Sequence, residues 1–135
     1  MTTPVQLIRS QALSDVAEYA YAATAPAGTR FVFMAGACPL ADDGSTVGVG
    51  DFRAQAARCV ETLTTALAAA ELSLEHVIQT RVLVASTRQQ DLVDTWEVVR
   101  DAFGAHDVPS TLMGVTVLGY DDQLVEIEAI AAVAG

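Results

Sequence analysis

The first third of the chain alternates between apolar and polar positions over short stretches. Residues 6–9 and 18–23 show this alternation, and residues 30–35, which follow the turn signal Pro26-Ala27-Gly28, are rich in strand-forming side chains. The pattern predicts three strands in an N-terminal antiparallel meander. Residues 41–50 are rich in Asp, Gly and Ser and have no periodicity, which is typical of a surface loop.

Helical periodicity begins after Asp51. Apolar side chains recur every three or four residues over residues 52–70, and Asp51 is in position to cap the helix N-terminus. Residues 77–85 form a nearly continuous apolar run, which predicts a strand that is covered on both faces. A second helix is predicted over residues 90–103, with its end at Gly104.

The last third of the chain predicts two long apolar strands, residues 111–118 and 124–134, joined in a hairpin by a turn at residues 119–122. The element order is therefore βββαβαββ, an α+β arrangement in one unit of residues 1–135. Two helices can cover only one face of such a sheet, while the strands are apolar on both faces. We therefore expect the uncovered face to be buried in a homo-oligomer.

Composition and charge narrow the classes of function. Hydrophobic residues make up 52% of the chain and charged residues 18%, which favours self-association. The net charge of −10 repels phosphate backbones, so we expect no nucleic-acid partner. The chain has no apolar run long enough to span a membrane and no signal-peptide pattern, which predicts a cytoplasmic protein without membrane contact. Cys38 and Cys59 lack the spacing of a zinc site and are expected to be reduced, buried side chains.

Candidate chemistry lies on the last predicted strand. Period-two alternation puts Glu126 and Glu128 on the same, otherwise apolar, face. A carboxylate there needs a neutralising partner or has a functional role, because burying an unpaired charge costs free energy. One interpretation is a salt bridge to Arg81 or another arginine, or exposure at the rim of the sheet, and the other is a role in a ligand pocket.

Three segments resemble the Rid family, also called YjgF/YER057c/UK114. Residues 33–40 (FMAGACPL) are similar to the family's F-V-S-G-Q-x-P-L, residues 51–55 (DFRAQ) to D-F-x-x-Q, and residues 125–131 (VEIEAIA) to V-E-I-E-A-x-A. Their order and spacing carry the resemblance over essentially the whole chain. It implies a chorismate-mutase-like α+β fold with two helices on one face of the sheet, a homotrimer built around a central barrel, and small-molecule pockets at the subunit interfaces.

The resemblance also implies an activity, the hydrolysis of reactive enamines and imines to 2-oxo acids and ammonia, with no metal and no organic cofactor. Glu126 matches the pocket glutamate that positions or activates water. Tyr21 matches a pocket tyrosine, although Tyr19 on the same strand face competes for that assignment. Gly36 matches a glycine whose backbone approaches the ligand, and it is equally compatible with a kink in the strand.

Two positions depart from the family pattern. The family's deaminases carry P-x-R, whose arginine clamps the substrate carboxylate, whereas this chain has Pro109-Ser110-Thr111. A threonine hydroxyl offers one neutral hydrogen bond where a guanidinium offers two charge-assisted ones. Trp96 stands where the family often has a pocket asparagine, and it either lines the pocket or packs in the core. Met113 is a further expected contact of the ligand.

Two hypotheses follow from these matches and departures. The chain is a hydrolytic deaminase with a modified pocket, in which Glu126 positions water while Tyr21 and Thr111 orient the substrate. Alternatively, it is a non-catalytic small-molecule-binding trimer that has lost the arginine-dependent chemistry. Arg30 and Arg81 are candidates for a replacement cation from a neighbouring subunit. The endoribonuclease label of the family is disfavoured by the charge of −10.

Overall fold

The computed structural model describes residues 3–135, so Met1 and Thr2 of the predicted unit lie outside the described residues. Within that range the chain follows the predicted order βββαβαββ, with a single 3-10 turn before the fourth strand. The elements are β1 (Gln6–Ile8), β2 (Ala22–Thr24), β3 (Arg30–Phe33), α1 (Phe52–Ala69), β4 (Val77–Val84), α2 (Gln89–Phe103), β5 (Ser110–Gly114) and β6 (Val125–Val133).

The strands divide into two sheets. β1 and β2 pair antiparallel with each other, and the other four strands form a sheet in the order β3-β6-β4-β5. In this second sheet β6 is antiparallel to both of its neighbours, while β4 and β5 are parallel. The longest strand, β6, is therefore central, and both of its edges find backbone partners.

The predicted C-terminal hairpin is wrong. β5 pairs with β4 and not with β6, because β4 lies between them. Alternation along a strand defines its two faces but does not define its neighbour, and the central place goes to the strand with the longest apolar face. β5 itself ends at Gly114, four residues earlier than the apolar pattern suggests.

The predicted N-terminal meander is also only partly correct. β1 pairs with β2 as expected, but β3 pairs with β6 in the other sheet. β2 begins at Ala22 instead of residue 18, because the backbone N–H of Ala20 donates to the carbonyl of Asp107 at 2.7 Å. The preceding segment is thereby drawn towards the start of β5.

Local signals at the helix ends are confirmed. The carboxylate of Asp51 accepts a hydrogen bond from the backbone N–H of Ala54 at 3.0 Å, which caps α1. α2 ends at Gly104, whose φ of 56° lies in a region that favours glycine. The start of α1 and the end of α2 therefore lie where the capping residues predict.

Both helices pack on the same face of the four-stranded sheet. The core is formed by apolar side chains that alternate inward along the central strands and by one stripe of α1, namely Cys59, Leu63, Leu67, Val82, Val84, Val125, Ile127, Ala129 and Ala131. The opposite side, which we call the open face, carries Phe31, Phe33, Arg81, Leu83, Thr111, Met113, Glu126, Glu128 and Ile130. Phe33 is 76% exposed there. No helix in residues 3–135 is both long and apolar enough to cross a membrane.

Candidate functional site

The carboxylate of Glu126 is held by two donors near the start of β6. Its Oε1 accepts hydrogen bonds from Cys38 Sγ at 3.3 Å and from Gln123 Nε2 at 3.2 Å. The Gln123 amide is itself fixed, because its Nε2 donates to the Val125 carbonyl at 3.0 Å and its Oε1 accepts from the Tyr120 N–H at 3.1 Å. With Gln123 only 4% exposed, this arrangement leaves the carboxylate little rotational freedom.

Gly36 lies directly against the other carboxylate oxygen. A Cβ atom at this position would fall against Glu126 Oε2 and within 2.7 Å of Glu126 Cδ. The space over Gly36 is therefore taken by Glu126. Since Gly36 is not among the glycines with positive φ, the position of the Glu126 carboxylate, and not the backbone conformation, is what a larger residue here would disturb.

The Cys38 thiol is half-buried beside Glu126. Burial, the hydrogen bond to Glu126 and the charge of Glu126 together raise the pKa of Cys38 to about 11. The thiol therefore stays protonated at neutral pH and acts as a donor to the carboxylate, not as a nucleophile. Cys59 is fully buried, as expected, and burial raises the pKa of its thiol as well.

A second locus, which we call the edge pocket, lies between α2, the edge strand β5 and the segment before β2. It has a volume of about 550 Å³ and is lined by Val16, Ala17, Glu18, Tyr19, Trp96, Ser110, Thr111 and Leu112. Three of the predicted ligand contacts, Tyr19, Trp96 and Thr111, are thus brought together. The rings of Tyr19 and Trp96 meet edge to face with centroids 6.1 Å apart.

Polar contacts fix the walls of the edge pocket. The Trp96 indole N–H donates to Glu18 Oε1 at 3.3 Å, and Glu18 Oε2 accepts from Arg100 Nη1 at 2.6 Å. Trp96 both lines this cavity and packs against the core. Tyr21 is not among the residues that line the pocket: the centroid of its ring lies 6.0 Å from that of Tyr19, and its hydroxyl donates to the Ser14 carbonyl.

Glu126 and the edge pocket are separate within one chain. Across the open face, Met113, Leu83 and Glu126 lie in one row, and Thr111, Arg81 and Glu128 lie in the next row of that face. Since neighbouring strands are about 4.8 Å apart, the backbones of Met113 and Glu126 are about 10 Å apart, and Thr111 is further still from Glu126. Met113 is therefore the predicted contact on β5 whose backbone lies nearest Glu126.

The salt bridge considered for the two carboxylates forms at Glu128. Arg81 Nε lies 3.3 Å from Glu128 Oε1, with side chains that are 52% and 42% exposed, so the pair contributes little to stability. Arg81 is the strand neighbour of Thr111, but its head group turns towards β6. Arg30 neighbours Phe31 on β3, whose side chain points to the open face, so Arg30 points to the opposite side.

Two residues of the Glu126 environment were not identified from the sequence. Gln123 occupies what reads as the end of a turn, and Cys38 is 88 positions from Glu126. The only local signal is the position of Gln123. It lies two residues before β6 and therefore close in sequence to Glu126, the first carboxylate of that strand. Contacts between Cys38 and Glu126 depend on the pairing of Ala37 with Ile127, which only the fold defines.

The family described as Endoribonuclease L-PSP matches residues 10–133. The chain is similar to YyfB of Yersinia pestis, described as a protein of unknown function of the conserved Rid protein family, with 22% identity, a TM-score of 0.87 and coverage of 97% of this chain and 100% of that one.

Two further solved structures are similar. Rv2704 of Mycobacterium tuberculosis, described as a member of the YjgF/YER057c/UK114 family, has 26% identity and a TM-score of 0.64 over 96% of this chain and 99% of its own. Yeast Mmf1 has 22% identity and a TM-score of 0.69 over 96% of this chain and 94% of its own. No curated protein matches the sequence. The structural similarity confirms the predicted α+β fold.

Proposed function

The chain belongs to the endoribonuclease L-PSP family, the Rid or YjgF/YER057c/UK114 family, and we propose that it hydrolyses reactive enamines or imines to carbonyl compounds and ammonia without a cofactor. The observation that carries this proposal is the fixed carboxylate of Glu126, which matches the pocket glutamate of the family. With Oε1 engaged by two donors, Oε2 is the oxygen left to orient a water molecule.

The proposed reaction requires only proton transfers, one addition and one elimination. Glu126 accepts a proton from water as the water oxygen adds to the imine carbon, and it delivers that proton to the nitrogen, which takes up the electrons of the broken C=N π bond. From the resulting carbinolamine Glu126 then accepts the hydroxyl proton and delivers it to the amino nitrogen, so that the C=O bond forms as the C–N bond breaks and ammonia leaves. An enamine enters the same sequence after it is protonated on carbon to give the imine. No step requires electrons from a cofactor.

We propose that the active unit is a homotrimer. Phe31 and Phe33 are exposed on the open face, and apolar side chains of this size are normally covered in a soluble assembly. Packing of open faces around a common axis would bury them. It would also bring Glu126 of one subunit towards the edge pocket of another, which the separation of the two loci within one chain requires.

A second candidate function, a binding trimer without catalysis, is favoured by a specific observation. Thr111 stands where the resemblance implies an arginine, and among the residues that line the edge pocket the one charged side chain is the acid Glu18. A 2-imino acid would therefore find no guanidinium there to clamp its carboxylate. On this account the pocket persists while the chemistry is lost.

RNA cleavage is not part of the proposal, although the family name includes it. Six of the arginines lie within 4.0 Å of carboxylates, at Arg9, Arg53, Arg58, Arg81, Arg88 and Arg100. With a net charge of −10, the chain offers little cationic surface to phosphates. We expect no retention of RNA at any salt concentration.

The test generates 2-iminobutanoate or 2-aminoacrylate with a PLP-dependent dehydratase and follows 2-oxo acid release in competition with semicarbazide. Faster release with this protein supports the deaminase. An unchanged rate for the wild type, combined with acceleration by Thr111→Arg and none by Thr111→Val, supports the binding trimer. If neither the wild type nor Thr111→Arg accelerates release, hydrolysis of this substrate class is excluded.

A further inference from the structure

We propose that the edge pocket selects uncharged, flat, apolar compounds that carry a neutral hydrogen-bond acceptor, and that it discriminates against carboxylates. The inference rests on the proposed function only in taking the edge pocket as the ligand site. It concerns the charge and shape of the ligand, so it can be tested without catalysis. If the deaminase is active, 2-imino acids, which carry a carboxylate, should be weakly bound substrates.

Electrostatics disfavour an anionic ligand. The acid in the wall, Glu18, is neutralised by Arg100, whose Nη1 lies 2.6 Å away. The guanidinium of Arg100 is further occupied by Asp101, which accepts from its Nε at 3.0 Å. A ligand carboxylate would have to compete with two carboxylates already bound to Arg100, or be desolvated without a cation.

The aromatic wall favours a flat ligand. Tyr19 and Trp96 stand almost perpendicular, with an angle of 82° between their planes, and so form a corner with two apolar surfaces. The hydrogen bond from the Trp96 indole to Glu18 keeps this corner in place. Leu112 and Val16 continue the apolar lining. An aromatic ring placed in the corner can stack on one ring while meeting the edge of the other.

The Ser110 hydroxyl supplies the polar contact. Ser110 Oγ accepts a hydrogen bond from Thr80 Oγ1 at 2.7 Å, which leaves the Ser110 hydrogen available to donate. Thr111, the next residue, also borders the pocket, but its side chain lies on the open face of the sheet. A neutral donor of this kind suits a carbonyl oxygen or an imine nitrogen, and it does not balance a full negative charge.

Benzamide and benzoate are matched probes, because they share a ring and differ in charge. Trp96 is the only tryptophan of the chain, so its fluorescence and its indole N–H resonance report directly on the edge pocket. We expect benzamide to produce saturable changes in the Trp96 fluorescence and indole N–H resonance, and benzoate to bind at least about tenfold more weakly. Ser110→Ala, which removes the hydroxyl donor and adds no charge, should weaken the binding of benzamide and narrow its difference from benzoate.

The outcomes separate this inference from the proposed function. Wild-type protein that binds benzoate as tightly as benzamide, or that binds neither probe, overturns the inference. Saturable binding of benzamide by a protein that hydrolyses no imine supports the ligand preference and contradicts only the deaminase. Imine hydrolysis by a protein that prefers benzoate supports the deaminase and contradicts only the ligand preference.

Discussion

Cys38 donates its thiol hydrogen bond to Glu126 across 3.3 Å, although 88 positions separate the two residues. The contact links the loop after β3 to the start of β6, and Gln123 completes it as a second donor to the same oxygen. The carboxylate that we propose as the functional group is therefore oriented by a protonated thiol.

This relationship predicts the ionisation of Cys38. Burial is the largest cause of its raised pKa of about 11, followed by the hydrogen bond and charge of Glu126. Glu126→Gln should therefore lower the pKa of Cys38 while leaving it above the usual 9.0. The measurement is the pH dependence of iodoacetamide alkylation at Cys38, resolved by peptide mapping, with Glu128→Gln as the control that leaves the curve unchanged.

The raised pKa of Cys38 also makes the stability of the folded chain depend on pH. Because the pKa of Cys38 is higher in the folded chain than the usual 9.0, its contribution to stability is fully present below pH 9.0 and is lost as the pH rises towards about 11. A wild-type alkylation midpoint close to 9.0 would contradict both the contact and this dependence.

Gly36→Ala should damage the same site by steric conflict. The new Cβ would meet the Glu126 carboxylate and force it to move, and we expect a loss of about 1–3 kcal/mol in the free energy of unfolding. Gly119→Ala is the matched control, because a Cβ there has no atom within 4 Å. Chemical denaturation at equal protein concentrations measures both, and equal stabilities for the two variants would argue against the close approach.

Local chemistry explains why much of the fold could be predicted from the sequence. Asp51 and Gly104 mark helix ends through contacts within a few residues, and the alternation along β6 correctly separates Val125 and Ile127 from Glu126 and Glu128. The neighbour of each strand is a property of the whole sheet. That is why β5 and β6 were predicted to form a hairpin although β4 lies between them.

The candidate site, like the fold, could be predicted from the sequence only in part. The resemblance singled out Glu126 and Gly36, and the structure brings them into contact. Tyr19, Trp96 and Thr111 also meet, around the edge pocket. Cys38 and Gln123 were missed as partners of Glu126, because a thiol and an amide in turns carry no periodic signal. Their contact arises only when Ala37 pairs with Ile127.

The open face should control assembly. Phe33→Glu introduces a charge where the proposed trimer buries an aromatic ring, so it should dissociate the trimer into monomers. Val117→Glu is the matched control, because Val117 is equally exposed, at 76%, but lies outside the four-stranded sheet. Sedimentation velocity measures the outcome. A wild-type monomer, or a Phe33→Glu variant that remains trimeric, would contradict the proposed interface.

The cap of α1 should contribute measurably to stability. Asp51→Ala removes the acceptor for the Ala54 N–H and should cost about 1 kcal/mol in the free energy of unfolding. Asp51→Asn keeps a side-chain oxygen in the same position and should retain most of that stability. Denaturation of both variants at one protein concentration makes the comparison, and equal losses would show that the charge, not the cap, is what matters.

The catalytic role of Glu126 is tested most directly by comparing Glu126→Gln with Glu128→Gln in the imine assay with semicarbazide. Both carboxylates lie on the open face two residues apart, but only Glu126 is held against Gly36 by Cys38 and Gln123, while Glu128 pairs with Arg81. We predict that Glu126→Gln lowers the rate of 2-oxo acid release by about 100-fold or more, as expected for loss of a general base, while Glu128→Gln stays close to the wild-type rate. A Glu126→Gln variant as fast as the wild type would contradict a catalytic role for Glu126.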